Sequence, residues 1–216
     1  MKKVEAGVRV RLLCDALGSL SLYRSPILAE VKKRGVQVQF FNQIWPWIYR
    51  MLKRFLRTHR KILVIDGKTG LIGGVGIRDY QVERRDTHIS ITGPVVASMT
   101  AVFERIWQMT QRGRHIFTFS KPTTDGDNFT LLTNSPHRKQ RFTYWTLVKM
   151  FRTAKKFIYI TTPYFVPDWR IFRALKGAAR RGVDVRLIVP NSPDWRMVRF
   201  ANSSFYARAL RSGIRI

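Results

Sequence analysis

Cysteine and acidic residues are the scarcest chemical groups in this 216-residue chain. Its one cysteine, Cys14, excludes an internal disulfide and fits a reducing compartment. Thirteen Asp and Glu residues stand against forty Lys and Arg residues, which gives a formal net charge of +27. This excess predicts attraction to a polyanion, either a nucleic acid or an anionic bilayer, and carries no information about the fold.

Clustered histidines and long apolar runs are also missing. The four histidines show no close ligand spacing and have no cysteine partners, so we expect no metal site and no cofactor. The longest weakly polar stretch, residues 89–103, is shorter than the roughly 20 residues that a membrane-spanning helix needs. Residues 1–15 are charged throughout, so we expect no secretory signal. At 45% hydrophobic, the chain can still bury a core.

The N-terminal part alternates strand and helix patterns. Residues 7–14 alternate and then become continuously apolar, which predicts a strand. A short helix over residues 26–33 and a second strand over residues 35–41 follow. This order favours an α/β class with parallel strand pairing and helices that cover the sheet.

A similar unit returns near the C-terminus. Gly182 lies 175 residues after Gly7, and Gly213 lies 178 residues after Gly35, with similar apolar patterns after each pair. The shared order and spacing predict an internal duplication. The predicted organisation is the C-terminal part of a first repeat, a polar irregular linker and the N-terminal part of a second repeat, over residues 1–120, 121–140 and 141–216.

Both repeats are expected to be incomplete. His59 lies 24 residues after Gly35, so its counterpart in the second copy is expected near position 237, beyond Ile216. We therefore expect a piece of a longer two-repeat enzyme. The alternative is a short protein whose missing half comes from a second copy, since a two-fold dimer can build one site from two chains.

Residues 58–77 contain the strongest chemical pattern. Apolar residues 62–65 predict a strand, Asp66 and Gly67 predict a turn, and a second strand follows. Because strand side chains alternate, His59 and Lys61 should share one face. An imidazole can attack phosphorus or pass a proton, and an ammonium can hold phosphate oxygens as charge builds. Asp66, at the strand end, could orient one of them.

Residues 40–57 combine aromatic and basic side chains. A helix after Pro46 would place aliphatic residues on one face and cations on the other, as an interfacial helix requires. A core-packing helix with a solvated basic side is the alternative. The segregated aliphatic face favours a membrane over nucleic acid, whose bases stack on rings interleaved with cations. The expected membrane contacts are Trp45, Trp47, Lys53, Arg54 and Arg57.

The spacing His59-x-Lys61-x4-Asp66, followed by Gly73-Gly74, matches the HKD motif of the phospholipase D superfamily. The surrounding sequence resembles bacterial cardiolipin synthases, through R-D-T-H at residues 85–88 and I-T-T-P-Y-F-V-P-D at residues 160–168. The resemblance implies a phospholipase D-like α/β fold, with a mixed sheet flanked by helices and two incomplete pseudo-repeats.

The resemblance also implies a reaction, the transfer of a phosphatidyl group between phosphatidylglycerol molecules. In this family one HKD histidine attacks phosphorus to give a phosphohistidine, the other protonates the leaving alcohol, and no metal is required. His59 would be one of the two, in either role, and Lys61 would bind phosphate oxygens. The chain alone would then be nearly inert, and peripheral on the cytoplasmic side of the cell membrane.

Further site residues follow from the same resemblance. Family members hold the reacting histidine with a carboxylate beyond the motif, for which Asp86 is the candidate and Glu83 the second choice. Asp86 could instead form a surface ion pair with a neighbouring arginine. Gly73 and Gly74 are expected to contact substrate.

An aromatic pair and a missing amide complete the predicted site. Tyr164 is a candidate substrate contact, although Tyr164 and Phe165 could equally be core aromatics. The superfamily usually has x-Asn after its glycine pair, whereas this chain has Val75-Gly76. An amide expected near the phosphate is therefore absent.

Two other functions remain open at this point. A phosphodiesterase of the same superfamily that acts on nucleic acid would explain the charge of +27, and salt-sensitive DNA binding stronger than liposome binding would favour it. A non-catalytic fragment that binds anionic membranes would bind liposomes unchanged after His59→Ala.

Overall fold

The computed structural model describes residues 2–42, 57–76, 86–113, 123–125, 129–133, 142–191 and 196–216. It has an α/β architecture in two compact units, Met1–Gln140 and Arg141–Ile216. The first unit contains α1 (Lys2–Glu5), β1 (Arg11–Asp15), α2 (Leu20–Tyr23), α3 (Pro26–Lys33), β2 (Gln37–Phe41), β3 (Ile62–Ile65), β4 (Thr69–Gly73), β5 (His88–Thr92), α4 (Val95–Gln111), β6 (Thr123–Asp125) and β7 (Phe129–Leu131). The second contains α5 (Phe142–Thr153), β8 (Phe157–Thr161), α6 (Trp169–Arg180), β9 (Asp184–Ile188) and α7 (Arg196–Leu210).

The first unit begins with the predicted parallel strand–helix–strand arrangement. β1 pairs with β2 in parallel, and α3 connects them. The Ser25 hydroxyl accepts a hydrogen bond from the Ile27 amide at 3.2 Å and Pro26 occupies the first helical position, so the local sequence determines where α3 begins. The predicted helix over residues 26–33 is confirmed, and both predicted strands are present, although β1 begins at Arg11 and β2 at Gln37. The short helices α1 and α2 were not predicted.

A three-stranded antiparallel sheet, β3–β4–β5, follows. The chain turns between β3 and β4 at Asp66 and Gly67, whose φ angles of 52° and 63° are both in the left-handed region. Two positive φ angles suit the twist of a tight hairpin, which is why an Asp-Gly pair predicts one. The predicted strand–turn–strand is therefore confirmed.

Helix α4 forms the central packing element of the first unit. It contacts β2 and β3 as well as β4 and β5, and its side chains Val96 and Met99 are fully buried. A Cβ atom on Gly70 of β4 would lie 2.6 Å from the Met99 sulfur, so the glycine lets the helix approach the sheet closely. At 17 residues, α4 is long enough to reach all of these strands.

The structure differs from the prediction of an irregular linker. We expected an irregular linker over residues 121–140, but β6 and β7 within this range pair in antiparallel orientation and both contact α4. These strands have three residues each, which is too short for a polar sequence to show a clear alternation. The hairpin belongs to the first unit, and the division into a first repeat, a linker and a second repeat stays a prediction.

The second unit repeats the parallel strand–helix–strand order with β8, α6 and β9. The Asp168 carboxylate begins α6 by accepting hydrogen bonds from the Arg170 and Ile171 amides, both at 2.9 Å. The buried faces of the strands and helices form one core around Leu175, Val185 and Ile214.

The predicted duplication gains support from one strand pairing. Arg186 pairs in parallel with Arg215, and the two sequence offsets place these residues on Arg11 and Gln37. Arg11 and Gln37 are the first paired residues of β1 and β2. The duplication itself stays a prediction.

Several predicted residues lie outside the described part of the chain. These are the membrane-contact candidates Trp45, Trp47, Lys53 and Arg54, and the second-choice carboxylate Glu83. Among the described residues, no helix combines the length and the apolar character needed to cross a membrane.

Candidate active site

His59 and Lys61 lie together at the start of β3. The Lys61 Nζ atom is 3.3 Å from both the Nδ1 and the Nε2 atoms of the His59 imidazole. Gly73 donates its amide hydrogen to the Lys61 carbonyl at 3.4 Å, so the antiparallel pairing continues to this residue. In β3 the alternate residues Leu63 and Ile65 are exposed, and Lys61 continues this alternation away from α4. The predicted shared face of His59 and Lys61 is confirmed.

A carboxylate from β1 holds the backbone that leads to this pair. Asp15, at the carboxyl end of β1, accepts a hydrogen bond from the Thr58 amide at 3.1 Å. Its other oxygen lies 3.5 Å from the Arg57 guanidinium, which also donates to the Asn42 carbonyl at 3.1 Å. The backbone that leads to His59 therefore lies next to the carboxyl ends of the parallel strands β1 and β2. α/β folds commonly place their functional sites at such an edge.

This role of Asp15 was not predicted, and Arg57 was predicted to contact a membrane. The Asp15 side chain is only 12% exposed and the Arg57 side chain 25%. The sequence signal was present but weak, an acidic residue after an apolar strand in a chain with few acids. In the structure Arg57 pairs within the protein, so its contact with a membrane stays a prediction without support from its side-chain position.

The two glycines of the motif leave space for the segment that precedes β5. A Cβ atom on Gly74 would overlap the Asp86 carboxylate, and one on Gly73 would overlap the Thr87 carbonyl oxygen. The Gly74 amide donates to that same carbonyl at 3.0 Å. Both glycines thus serve close packing between β4 and the chain before β5, and their contact with substrate stays a prediction.

Asp86 lies beside the glycine pair in an exposed position. Its Oδ1 atom accepts a hydrogen bond from the Thr87 amide at 2.7 Å. Within residues 57–76 and 86–113, no hydrogen bond or ion pair joins Asp86 to His59. The structure brings Asp86 to the same end of the sheet as His59, and the orienting role stays a prediction.

A second histidine, His88, lies close to Lys61 on the neighbouring strands. It pairs with Gly73 in β5, and its Cγ atom would lie 3.0 Å from a Cβ on that glycine. Paired residues of antiparallel strands share a face, so His88 and Lys61 lie on either side of the bare backbone of Gly73. The His88 Nδ1 atom is buried and has no hydrogen-bond partner within the described ranges.

Asp66 is separated from these side chains. It occupies the turn beyond the carboxyl end of β3, whereas His59 precedes the amino end. At about 3.3 Å per residue, seven extended residues place the two Cα atoms roughly 20 Å apart. The geometry gives Asp66 a role in the hairpin turn and does not bring it to His59 or Lys61.

The aromatic candidates belong to the second unit and differ from each other. Phe165 is buried in the core, against the ring of Phe205. Tyr164 is 46% exposed. The core interpretation is therefore correct for Phe165, and Tyr164 remains available as a substrate contact.

Burial also changes the charge properties of the site's neighbours. Desolvation lowers the pKa of the Arg60 guanidinium, which donates to the Thr58 hydroxyl at 3.3 Å. Desolvation raises the pKa of the Cys14 thiol, so little thiolate forms near neutral pH. Among the described residues, no three His, Cys, Asp or Glu side chains converge as ligands for a metal ion.

The sequence profile of the family described as "Cardiolipin synthase, PLD-like domain" matches residues 1–107 and 147–216. The match contains every described element of the candidate site. The chain belongs to this family.

Known members of the family show the extent of the similarity. The chain is 34% identical to a cardiolipin synthase of Halalkalibacterium halodurans and 36% identical to a cardiolipin synthase A of Pseudomonas fluorescens. All of the chain aligns in both comparisons, over 45% and 46% of those proteins. The chain thus spans about half the length of these curated relatives.

Proposed function

We propose that the chain contributes one histidine of a cardiolipin synthase-type phosphatidyltransferase. The contact between the His59 imidazole and the Lys61 ammonium, at an exposed strand end, carries this proposal. Membership of the family supports the same chemistry. The donor and the acceptor would both be phosphatidylglycerol.

The reaction requires two steps at phosphorus. In the first, an imidazole nitrogen bonds to the phosphorus of one phosphatidylglycerol. The bond from phosphorus to the oxygen of the head-group glycerol breaks, and a second histidine protonates that oxygen. In the second, a hydroxyl of another phosphatidylglycerol attacks phosphorus, its proton passes to the second histidine, and the bond from phosphorus to the first histidine breaks. Cardiolipin and glycerol are the products, and His59 acts as either nucleophile or acid.

Lys61 stabilises the charge that develops on the non-bridging phosphate oxygens. Its ammonium already lies within 3.3 Å of the imidazole, so a phosphate that reaches one group also reaches the other. The Asp15 contacts hold the backbone at residues 57–58 before substrate arrives, which lowers the entropic cost of aligning the reacting atoms. Asp86 would orient the imidazole once the donor is bound.

The second histidine would come from a second copy of the chain or from a further segment of a longer protein. Two-fold association can supply one such group from each copy. We expect a monomer of the chain to give little product. The enzyme would act on the cytoplasmic side of the cell membrane, as a peripheral protein bound to anionic phospholipid through residues 45–57.

The proposal is tested by offering two substrate classes to the same preparation. The purified chain is incubated with phosphatidylglycerol vesicles and, separately, with duplex DNA, and lipid products and DNA cleavage are both measured. We expect vesicle binding, with cardiolipin and glycerol formed only where two histidines meet. DNA cleavage that is lost in His59→Ala, without any lipid product, would overturn the proposal in favour of a nuclease.

Lys61→Arg provides a matched control for the same assay. It keeps the positive charge next to His59 and should retain part of the activity, whereas Lys61→Ala should lose at least about 100-fold, the effect typical of removing one electrostatic stabiliser. Equal activity of both variants would contradict the role given to the ammonium.

A further inference from the structure

Helices α6 and α7 form a groove with an unusual concentration of positive charge. The groove encloses about 300 Å³ near the carboxyl ends of both helices. Its lining consists of four basic side chains, one hydroxyl and one aromatic ring, namely Lys176, Arg180, Arg208, Arg211, Ser212 and Phe172.

The positive charge of the groove is not balanced by acidic residues in the part of the chain that the structure describes. Within the described ranges, none of its four cations forms an ion pair with Asp or Glu. Three other cations of the same unit do have partners, since Arg186 and Arg215 both pair with Asp184 and Arg181 donates to two backbone carbonyls. Further cations of the unit, such as Lys149 and Arg152 of α5, are spread over its exposed surface. The groove differs because four cations lie together in one concave place, where the field attracts anions.

Arg208 is held in position before any ligand arrives. Its guanidinium carbon lies 4.9 Å from the ring centre of Phe172 and 5.6 Å from that of Phe205. Stacking on two rings orients the planar guanidinium. The Ser212 hydroxyl donates to the Arg208 carbonyl at 2.8 Å, which fixes the turn after α7.

The groove lies at the edge of the sheet opposite to the usual catalytic edge. α6 ends just before β9, and α7 ends just before Arg215, which pairs in parallel with Arg186 of β9. The groove is therefore at the amino edge of these strands. Loop 162–168, which includes Tyr164, follows the carboxyl end of β8.

Basic residues near a helix C-terminus are favoured by the helix dipole. That effect explains single cations at the end of α6 or α7. The helix dipole does not explain why four cations from two helices converge on one groove. The mutual repulsion of these cations must be offset by a bound anion or by solvent.

We propose that this groove binds the phosphate of an anionic phospholipid head group at a membrane surface. Several donors on one concave surface suit a phosphate, and Arg can bind it through two N–H groups. The side chain of Leu210, next to Arg211, is 56% exposed and can enter the acyl boundary beside the head group. A nucleic acid is disfavoured because Phe172 is buried and offers no face for base stacking. The site does not depend on phosphatidyl transfer at His59.

The test compares two double variants of the full chain with equal loss of charge. Arg180→Gln with Arg211→Gln removes two groove cations, and Lys149→Gln with Arg152→Gln removes two exposed cations of α5. Binding is measured by co-sedimentation with phosphatidylcholine vesicles that contain phosphatidylglycerol. We expect the groove variant to bind about 30-fold more weakly than wild type, since each basic residue near an anionic surface contributes roughly fivefold, and the control to change much less. Equal losses, or no loss in either variant, would overturn the proposal.

Two further experiments control for misfolding and distinguish a lipid phosphate from inorganic phosphate and DNA. Arg180→Lys with Arg211→Lys keeps the charge and should restore most of the binding, which a misfolded variant would not do. The Nε–Hε resonance of Arg208 should shift with soluble short-chain phosphatidylglycerol at lower concentrations than with inorganic phosphate. An equal response to inorganic phosphate, or a stronger response to duplex DNA, would contradict a lipid site.

Discussion

Substitution of Asp15 by Asn tests whether β1 positions His59. The carboxylate accepts three backbone hydrogen bonds, from Leu17 at 3.1 Å, Gly18 at 3.0 Å and Thr58 at 3.1 Å, and it pairs with Arg57 at 3.5 Å. Its two oxygens serve different partners, because Oδ1 accepts from the loop after β1 and Oδ2 accepts from Thr58. An asparagine has one acceptor oxygen, so it can serve only one of these two groups.

The expected cost of this substitution follows from the lost contacts. A partly buried amide left without an acceptor costs about 1–3 kcal/mol, and the weakened ion pair adds up to about 0.5 kcal/mol. We therefore expect Asp15→Asn to lower the free energy of unfolding by about 2 kcal/mol. For a unit of this size the melting temperature should fall by roughly 4–8 °C.

The assay combines urea unfolding with the NMR resonances of the His59 imidazole. Glu30→Gln is the matched control, since it also removes one carboxylate charge of the first unit, but from an exposed pair with Arg34 at 2.9 Å that contributes about 0.5 kcal/mol or less. Asp15→Asn should shift the His59 resonances in the folded protein, whereas Glu30→Gln should leave them in place. If both variants leave these resonances unchanged, Asp15 does not position His59.

Three other substitutions test the packing and the site. Gly70→Ala should destabilise the first unit by about 1 kcal/mol in urea unfolding, because its Cβ would crowd the fully buried side chain of Met99. The cost is moderate because the Met99 side chain is flexible and can partly adjust. A stabilised variant would show that α4 has room to move. Gly74→Ala should displace the Asp86 carboxylate and so lower transfer activity by about tenfold or more. If Gly74→Ala lowers activity equally in a protein that already carries Asp86→Ala, the loss does not act through Asp86. A hydrogen bond from Arg11 lowers the pKa of Glu104. This pair therefore stabilises the fold at pH values above the ordinary glutamate pKa, and the stabilisation is lost as the pH falls through the lowered pKa. Glu104→Gln should flatten the acid side of a plot of unfolding free energy against pH, and an unchanged slope would refute the assignment.

Local chemistry made part of the fold predictable. Ser25 with Pro26 determines the start of α3, and Asp66 with Gly67 determines the β3–β4 turn, because each acts within a few residues of itself. The alternation of strand side chains was enough to bring His59 and Lys61 together. These predictions needed no tertiary information.

The contacts that complete the site depend on distant parts of the chain. Asp15 meets Thr58 across 43 residues, and no local pattern marks an acid after a strand as an anchor for a later segment. The β6–β7 hairpin escaped prediction because three-residue strands show little periodicity and are stabilised by packing on α4. The groove between α6 and α7 escaped it because the charges converge only when two helices pack.

The most direct test of the central claim is cardiolipin formation from phosphatidylglycerol vesicles by the wild-type chain and by His59→Ala. With vesicle binding equal in both proteins, cardiolipin and glycerol should form in equal amounts where a second copy completes the site, and both products should disappear in the variant. Cardiolipin formation that survives His59→Ala would contradict the account, because the reacting histidine would then lie elsewhere.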